Sequence, residues 1–275
     1  ESSKRLLEEI NMQNKQGYTH LSILLDTKGP DIRTWIRETP LQVKRNQVFN
    51  IYIDESKITK DSDIFCDYAW IVKDVKPGQE VIIDSWLLLV EVKEVNKNWL
   101  VVKALNDAEI WSKRHINLPW VKVSLPAMIE KDRTDILFWI KMWISYVAAS
   151  FIRTGENVKE IRSFLDKNWW NHVKIISKIE NKEALDNLEE IVKHSDWVMV
   201  ARGDLGIEMP IYELPVYQKK ILDMCFQYWK PVIIATELMK SMVNNPFPTR
   251  AEVSEVYNSV LMRADAVMLS DETAI

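Results

Sequence analysis

Val173-Lys174-Ile175-Ile176-Ser177-Lys178-Ile179, running into Glu180-Asn181, is the stretch that decides the fold. A run rich in branched apolar residues that breaks into charge reads as a buried strand with a polar C-terminal end. The same pattern recurs on both sides. Residues 146–152, 197–201, 232–236 and 266–270 are strand-like, and 21–25 is a shorter apolar run of the same kind. Amphipathic helical stretches separate the strands after residue 121, and residues 1–16 read as a helix. Repeated β-then-α units predict a parallel sheet covered by helices. Between 35 and 120 the texture changes to short alternating segments such as 48–53, 80–83, 87–92 and 100–105, punctuated by Lys76-Pro77-Gly78 and Asn96-Lys97-Asn98. This predicts a β domain inserted into an α/β domain, with boundaries at 1–34, 35–120 and 121–275.

Composition removes several function classes. The 275 residues are 47% hydrophobic and 28% charged, and 36 Lys+Arg against 40 Asp+Glu leave a net charge of -4. Nucleic-acid binders carry a strongly basic face, and none is expected here. No run of about 18 apolar residues offers a membrane span. Cys66 and Cys225 are far apart and without metal-ligand spacing, which suggests a reducing compartment. Four histidines (20, 115, 172 and 194) show no zinc spacing. The chain lacks an initiating Met and stops just after an apolar run, so it reads as a fragment of a longer protein.

Every expected parallel strand ends in polar residues: Asp26-Thr27, Ser150 with Arg153, Lys178 to Asn181, Arg202-Gly203-Asp204, Thr236-Glu237, and Ser270 to Thr273. Sites of α/β folds are built at that edge. One such residue is usually a solvated loop position, but six strands ending alike point to a site. Lys178 and Glu180 are two apart, and a period of two puts both side chains on one side of their strand. They read either as a plain ion pair or as an ammonium facing a developing anion beside a carboxylate that holds a hard cation. Glu180 and Asp204, with water and substrate oxygens, suit Mg²⁺, which prefers few protein carboxylates. Gly203 allows close backbone approach to a small ligand.

Four segments carry a family resemblance: Leu24-Leu25-Asp26-Thr27-Lys28-Gly29-Pro30-Asp31-Ile32-Arg33-Thr34, Ile176-Ser177-Lys178-Ile179-Glu180-Asn181, Met199-Val200-Ala201-Arg202-Gly203-Asp204-Leu205-Gly206, and Pro248-Thr249-Arg250-Ala251-Glu252. In order and spacing they resemble the motifs of pyruvate kinase. The resemblance implies a (β/α)8 TIM barrel, here incomplete with about six of eight strands, and an inserted small β-barrel acting as a mobile lid. It implies phosphoryl transfer from phosphoenolpyruvate to ADP, giving pyruvate and ATP. By motif match, Lys178 stabilises the transferring phosphoryl and the enolate, and Thr236 lies near the carbon that is protonated. Glu180 and Asp204 bind Mg²⁺ or Mn²⁺, and Asp204 also touches substrate. The backbone of Ala201, Arg202 and Gly203 seats the substrate carboxylate. Asp26 and Thr27 are two K⁺ ligands, and Arg33 reaches nucleotide phosphates. The resemblance also implies a cytoplasmic glycolytic enzyme, a homotetramer when full length.

Departures from the pattern are equally legible. The family's first two barrel strands, with an Arg-x-Asn-x-Ser segment that supplies a phosphate-binding Arg and the other two K⁺ ligands, are not in this chain, nor is its C-terminal domain. Glu237 stands where Gln is usual, and Asp271 where Gly is usual. The chain alone is therefore expected to be inactive. The alternative is a non-catalytic relative that binds metal or phosphoenolpyruvate without turnover; the presence of Lys178, Glu180, Asp204 and Thr236 argues against it for the parent protein. Another phosphoenolpyruvate-using barrel enzyme fits less, because of the Asp-Thr-Lys-Gly-Pro stretch followed by an inserted β domain.

One compositional feature stands apart. There are 6 glycines and 12 tryptophans, whereas glycine is ordinarily about 7% of residues. All twelve tryptophans sit where glycine is expected in this family: 35, 70, 86, 99, 111, 120, 139, 143, 169, 170, 197 and 229. Asn98-Trp99 is placed like a hairpin turn, Trp169-Trp170 like a left-handed C-cap, and Trp229 lies in a helix-to-strand connection. Either the protein really carries twelve surface and turn tryptophans, or, the reading preferred here, a UGA codon that means glycine in the source organism has been translated as tryptophan. An aromatic stripe for nucleic acid or carbohydrate fits less, because the positions share neither spacing nor basic context.

Overall fold

The structure is a computed structural model that describes residues 2–36, 38–58 and 60–274. It divides into two compact units, one of residues 1–30, 126–205 and 213–275, the other of residues 31–125 and 206–212.

After α1 (Ser2–Lys15), β1 (Leu24–Asp26) is the first strand of the first unit. The chain then builds the second unit from β2 (Leu41–Val43), β3 (Val48–Tyr52), β4 (Ile64–Phe65), α2 (Ile71–Asp74), β5 (Glu80–Ile83), β6 (Leu88–Val95), β7 (Trp99–Ala104), β8 (Ala108–Ile110) and β9 (Ile116–Asn117). Six of these strands form one sheet in the order β4-β3-β7-β6-β5-β9, and β2 pairs with β8. Alternation explains the packing: Leu88, Val90 and Val92 of β6 and Leu100, Val102 and Ala104 of β7 all turn into one core, while their neighbours face outward.

The first unit continues with α3 (Glu130–Ile140), β10 (Tyr146–Ala149), α4 (Gly155–Lys167), β11 (Lys174–Ile179), α5 (Lys182–Asp186), α6 (Leu188–His194), β12 (Trp197–Ala201), α7 (Arg202–Leu205), α8 (Leu214–Gln227), β13 (Val232–Ala235), α9 (Arg250–Leu261) and β14 (Ala266–Met268). Its sheet is parallel throughout, in the order β1-β10-β11-β12-β13-β14, so the class is α/β. Strands buried on both faces need unbroken apolar runs, and β13 is buried at all four residues. On one face Ala148, Ile176, Met199, Ile233 and Ala235 form a single cluster. Lys178 follows Ile176 on that same face, because side chains alternate.

The helix starts are sequence-encoded. Thr154 caps α4 by accepting from the Asn157 N–H at 3.3 Å. The Pro-Thr-Arg-Ala-Glu motif resolves as such a cap: Thr249 Oγ1 accepts from the Glu252 N–H at 3.2 Å, and Glu252 accepts from the Thr249 N–H at 2.7 Å. The hydroxyl and then the N–H of Ser241 also donate to Glu252, and its carboxyl is pulled down to about 2.

Some expected strands differ from those observed. The run at 21–25 was expected to be buried, but β1 starts at Leu24 and is half exposed. It pairs with β10 alone among the described residues, so one of its edges and part of its faces lack cover. The strand expected over 146–152 stops at Ala149, because Phe151 turns to a φ of 55°. Trp99 is the first residue of β7 rather than a turn residue.

Positive φ is uncommon for a residue with a Cβ, and for a bulky one it is an outlier. Among the described residues thirteen non-glycines adopt it, and five are tryptophans: Trp86 (74°), Trp120 (64°), Trp143 (62°), Trp169 (67°) and Trp229 (54°). Twelve tryptophans supply five of the thirteen, far above their share of the chain. Trp170, placed by sequence in the same C-cap as Trp169, has no positive φ.

Candidate active site

The ends of β1, β10 and β11 bring Asp26, Ser150, Lys178 and Glu180 together. Lys178 Nζ lies 2.9 Å from Glu180 Oε1, 3.1 Å from Asp26 Oδ1 and 2.9 Å from Ser150 Oγ. Parallel register makes this meeting possible, since Leu24 to Asp26 run beside Tyr146 to Ala148, and Tyr146 to Ala149 beside Lys174 to Ser177.

Both charged groups are perturbed. Burial works against the Lys178 charge, but Glu180 and then Asp26 outweigh it and hold the ammonium above the usual lysine range. Burial pushes the Glu180 carboxyl up to about 7; Lys178 opposes this, and the nearby charge of Asp204 adds to it. Glu180 is 1% exposed. Its Oε2 accepts the Phe151 N–H at 2.6 Å, while Oε1 faces the Lys178 ammonium at 2.9 Å and, among the described residues, meets no other hydrogen-bond donor. A buried carboxylate oxygen left this way, with a second carboxylate close enough to raise its protonation, fits a hard divalent cation. Among the described residues no group of three or more His, Cys, Asp or Glu could hold a metal. A cation here would rest on Glu180 and Asp204, completed by other oxygens.

Thr236 and Gly203 form a second group, from the ends of β12 and β13. The Gly203 N–H donates to Thr236 Oγ1 at 2.8 Å. A Cβ at 203 would sit 3.5 Å from that oxygen, which is ordinary contact. Arg202 is buried; its guanidinium donates to Ala235 O at 3.3 Å and to Thr236 O, and pairs with Glu255. Thr236 and Glu237 both have positive φ, 66° and 52°. Strained backbone of this kind persists where the surroundings hold it, often at functional sites.

Thr27 and Arg33 have other surroundings. Thr27 O accepts from Ser150 Oγ at 2.8 Å, and Thr27 Oγ1 donates to Ala148 O at 3.2 Å and accepts the Ser150 N–H at 3.1 Å. Asp26 is paired with Lys178. Arg33 lies in the second unit, where it pairs with Asp31, donates to Lys113 O at 2.9 Å and meets His115 Nε2 at 2.7 Å.

Sequence reasoning noted Ser150 as a polar strand end but gave it no role, and missed Phe151 altogether. Ser150 was findable as a hydroxyl beside a charged cluster. Phe151 acts through its backbone, which side-chain chemistry does not reveal.

The family model for the pyruvate kinase barrel domain matches residues 1–275. A pyruvate kinase from Clostridium perfringens is 40% identical over 274 residues, covering 99% of this chain and 58% of that protein. One from Lachancea kluyveri is 45% identical over 259 residues, covering 92% and 52%. The crystal structure of a pyruvate kinase from Cryptosporidium parvum matches with a TM-score of 0.90 at 38% identity, covering 95% of this chain and 55% of that one. The chain spans about half the length of the curated relatives it matches.

Proposed function

The chain belongs to the pyruvate kinase family, and on that premise we propose that it carries the site at which the parent protein moves phosphoryl from phosphoenolpyruvate to ADP. The observation that carries this reading is the buried Lys178–Glu180 pair with Asp204 beside it. Phosphoryl transfer needs little covalent help from a protein; positioning and charge neutralisation supply most of the catalysis.

The residues divide the work. Lys178, gripped by the side chains of Glu180, Asp26 and Ser150, offers a fixed positive charge to the transferring phosphoryl and to the enolate left behind. Glu180 and Asp204 would hold Mg²⁺ or Mn²⁺, which when bound would supply further charge neutralisation. The backbone of Ala201, Arg202 and Gly203 seats the substrate carboxylate, with the Gly203 N–H exchanging its bond to Thr236 for one to substrate. That exchange frees Thr236 Oγ1 beside the carbon that gains a proton. The reading extends to an eight-stranded (β/α)8 barrel in the whole protein, with an inserted β domain over residues 35–120 and Arg33 as a nucleotide contact. K⁺ at Asp26 and Thr27, a homotetramer and a cytoplasmic location belong to the same reading, and no step depends on them. No described helix is long and apolar enough to cross a membrane.

Two outcomes test the metal assignment in the full-length protein. Glu180→Gln or Asp204→Asn raises the Mg²⁺ concentration for half-maximal activity about tenfold or more, the equivalent of losing about 1.4 kcal/mol of binding. Unchanged metal titrations in both variants place the metal elsewhere. Second, the cation competes with the Glu180 proton. Apparent Mg²⁺ affinity therefore falls about tenfold per pH unit below a pH near 7 and levels off above it. Calorimetric Mg²⁺ titrations from pH 5.5 to 8.5 check this; a flat profile counts against Glu180 as ligand.

A further inference from the structure

We propose that the Ser150–Phe151 turn after β10 is the device that positions Lys178 and Glu180, Ser150 through its hydroxyl and Phe151 through its backbone N–H. The inference rests on the phosphoryl-transfer reading of this site.

Ser150 is 3% exposed. Its Oγ lies 2.9 Å from Lys178 Nζ, 3.2 Å from Asp26 Oδ1 and 2.8 Å from Thr27 O. An ammonium only donates, so Ser150 accepts from Lys178. Its single proton then goes to one acceptor, and the shorter contact is the main-chain oxygen of Thr27. The two carboxylates around Lys178 attract its charge and also offset it. The neutral hydroxyl differs, because it fixes the direction of Nζ without cancelling its charge.

The next residue serves Glu180. The Phe151 N–H points at Glu180 Oε2 at 2.6 Å because the backbone takes a φ of 55°. That conformation is costly for a residue with a Cβ and is held by its surroundings. Arg153 donates to Phe151 O at 3.3 Å. Opposite it, Gly29 has a φ of 68°, and a Cβ there would stand 2.8 Å from Ser150 Cβ, 2.9 Å from Ser150 O and 3.0 Å from Phe151 Cδ2. Only glycine lets that loop press so closely on the turn. One turn thus sets the donor of positive charge and the buried carboxylate together.

The test is a series at position 150 in the full-length enzyme with saturating Mg²⁺. Ser150→Ala lowers kcat about tenfold, the worth of one hydrogen bond to a charged group. KM for phosphoenolpyruvate and the thermal midpoint stay near those of the parent. Ser150→Thr, which keeps the hydroxyl, restores most of kcat. Ser150→Cys keeps the volume with weak hydrogen bonding, and it carries the test if the Ala variant does not fold; its kcat falls as well. Parent-level kcat in both the Ala and Cys variants overturns the proposal, as does a loss that tracks the thermal midpoint rather than kcat. If Lys178→Met abolishes turnover while the position-150 series is silent, only the positioning role falls. If Lys178→Met is itself silent, the reading of the site falls.

Discussion

Lys178→Met in the full-length protein is expected to lower the rate of phosphoryl transfer roughly 10²–10³-fold, the usual consequence of removing one preorganised charge or donor. Mg²⁺ binding is expected to survive at the alkaline end of the titration; loss of Lys178 also makes Glu180 easier to protonate, so the pH below which binding weakens moves upward. Lys178 opposes protonation of Glu180 but supplies no ligand atom, since an ammonium has no lone pair to offer a cation. Its removal also releases Glu180 Oε1 from the ion pair at 2.9 Å. The split between lost turnover and retained metal binding separates the catalytic reading from a plain structural ion pair. In the structural case the variant loses stability and metal binding together, because breaking a buried pair leaves an uncompensated charge. Steady-state kinetics alongside a calorimetric Mg²⁺ titration check both halves. Near-parental turnover takes Lys178 out of the mechanism.

The second large effect concerns the tryptophans. Replacing Trp86, Trp120, Trp143, Trp169 and Trp229 together by glycine is expected to stabilise the chain by on the order of 5 kcal/mol. Each sits at positive φ, where a residue with a Cβ costs about 1–2 kcal/mol more than glycine. Little is lost in exchange, since Trp143, Trp169 and Trp229 are 75%, 89% and 87% exposed. Trp86 gives up one long hydrogen bond, to Gly206 O at 3.4 Å. The five positions are distinct turns, so their contributions add approximately. At about 2–4 °C per kcal/mol for a chain of this size, the thermal midpoint should rise by about 10–20 °C. Scanning calorimetry of the two versions side by side measures it; an equal or lower midpoint for the glycine version contradicts the strain argument. The recoding reading makes a matching demand on the gene: all twelve tryptophan codons are UGA, and several UGG codons among them would end it.

Much of the fold was legible because buried parallel strands announce themselves as apolar runs ending in charge. Val173 to Asn181 and Trp197 to Asp204 are the clearest cases, and both lie where expected. β1 misled because its apolar run is only partly covered. Trp99 misled because turn chemistry was read one residue into a strand. Within the site, Lys178 and Glu180 were found from a spacing of two along one strand. Asp26 and Ser150 join them only through strand register, which no single segment reveals. The positive φ of Phe151, Thr236 and Glu237 was invisible, because none of the three residue types favours that conformation.

Phosphorus NMR of the full-length protein with phosphoenolpyruvate, ADP and Mg²⁺ decides whether this site moves phosphoryl from phosphoenolpyruvate to ADP. ATP is expected to appear as phosphoenolpyruvate disappears, one for one, with no inorganic phosphate and with the Lys178→Met sample unchanged over the same interval. Phosphoenolpyruvate left intact, or converted to inorganic phosphate without ATP, would contradict it.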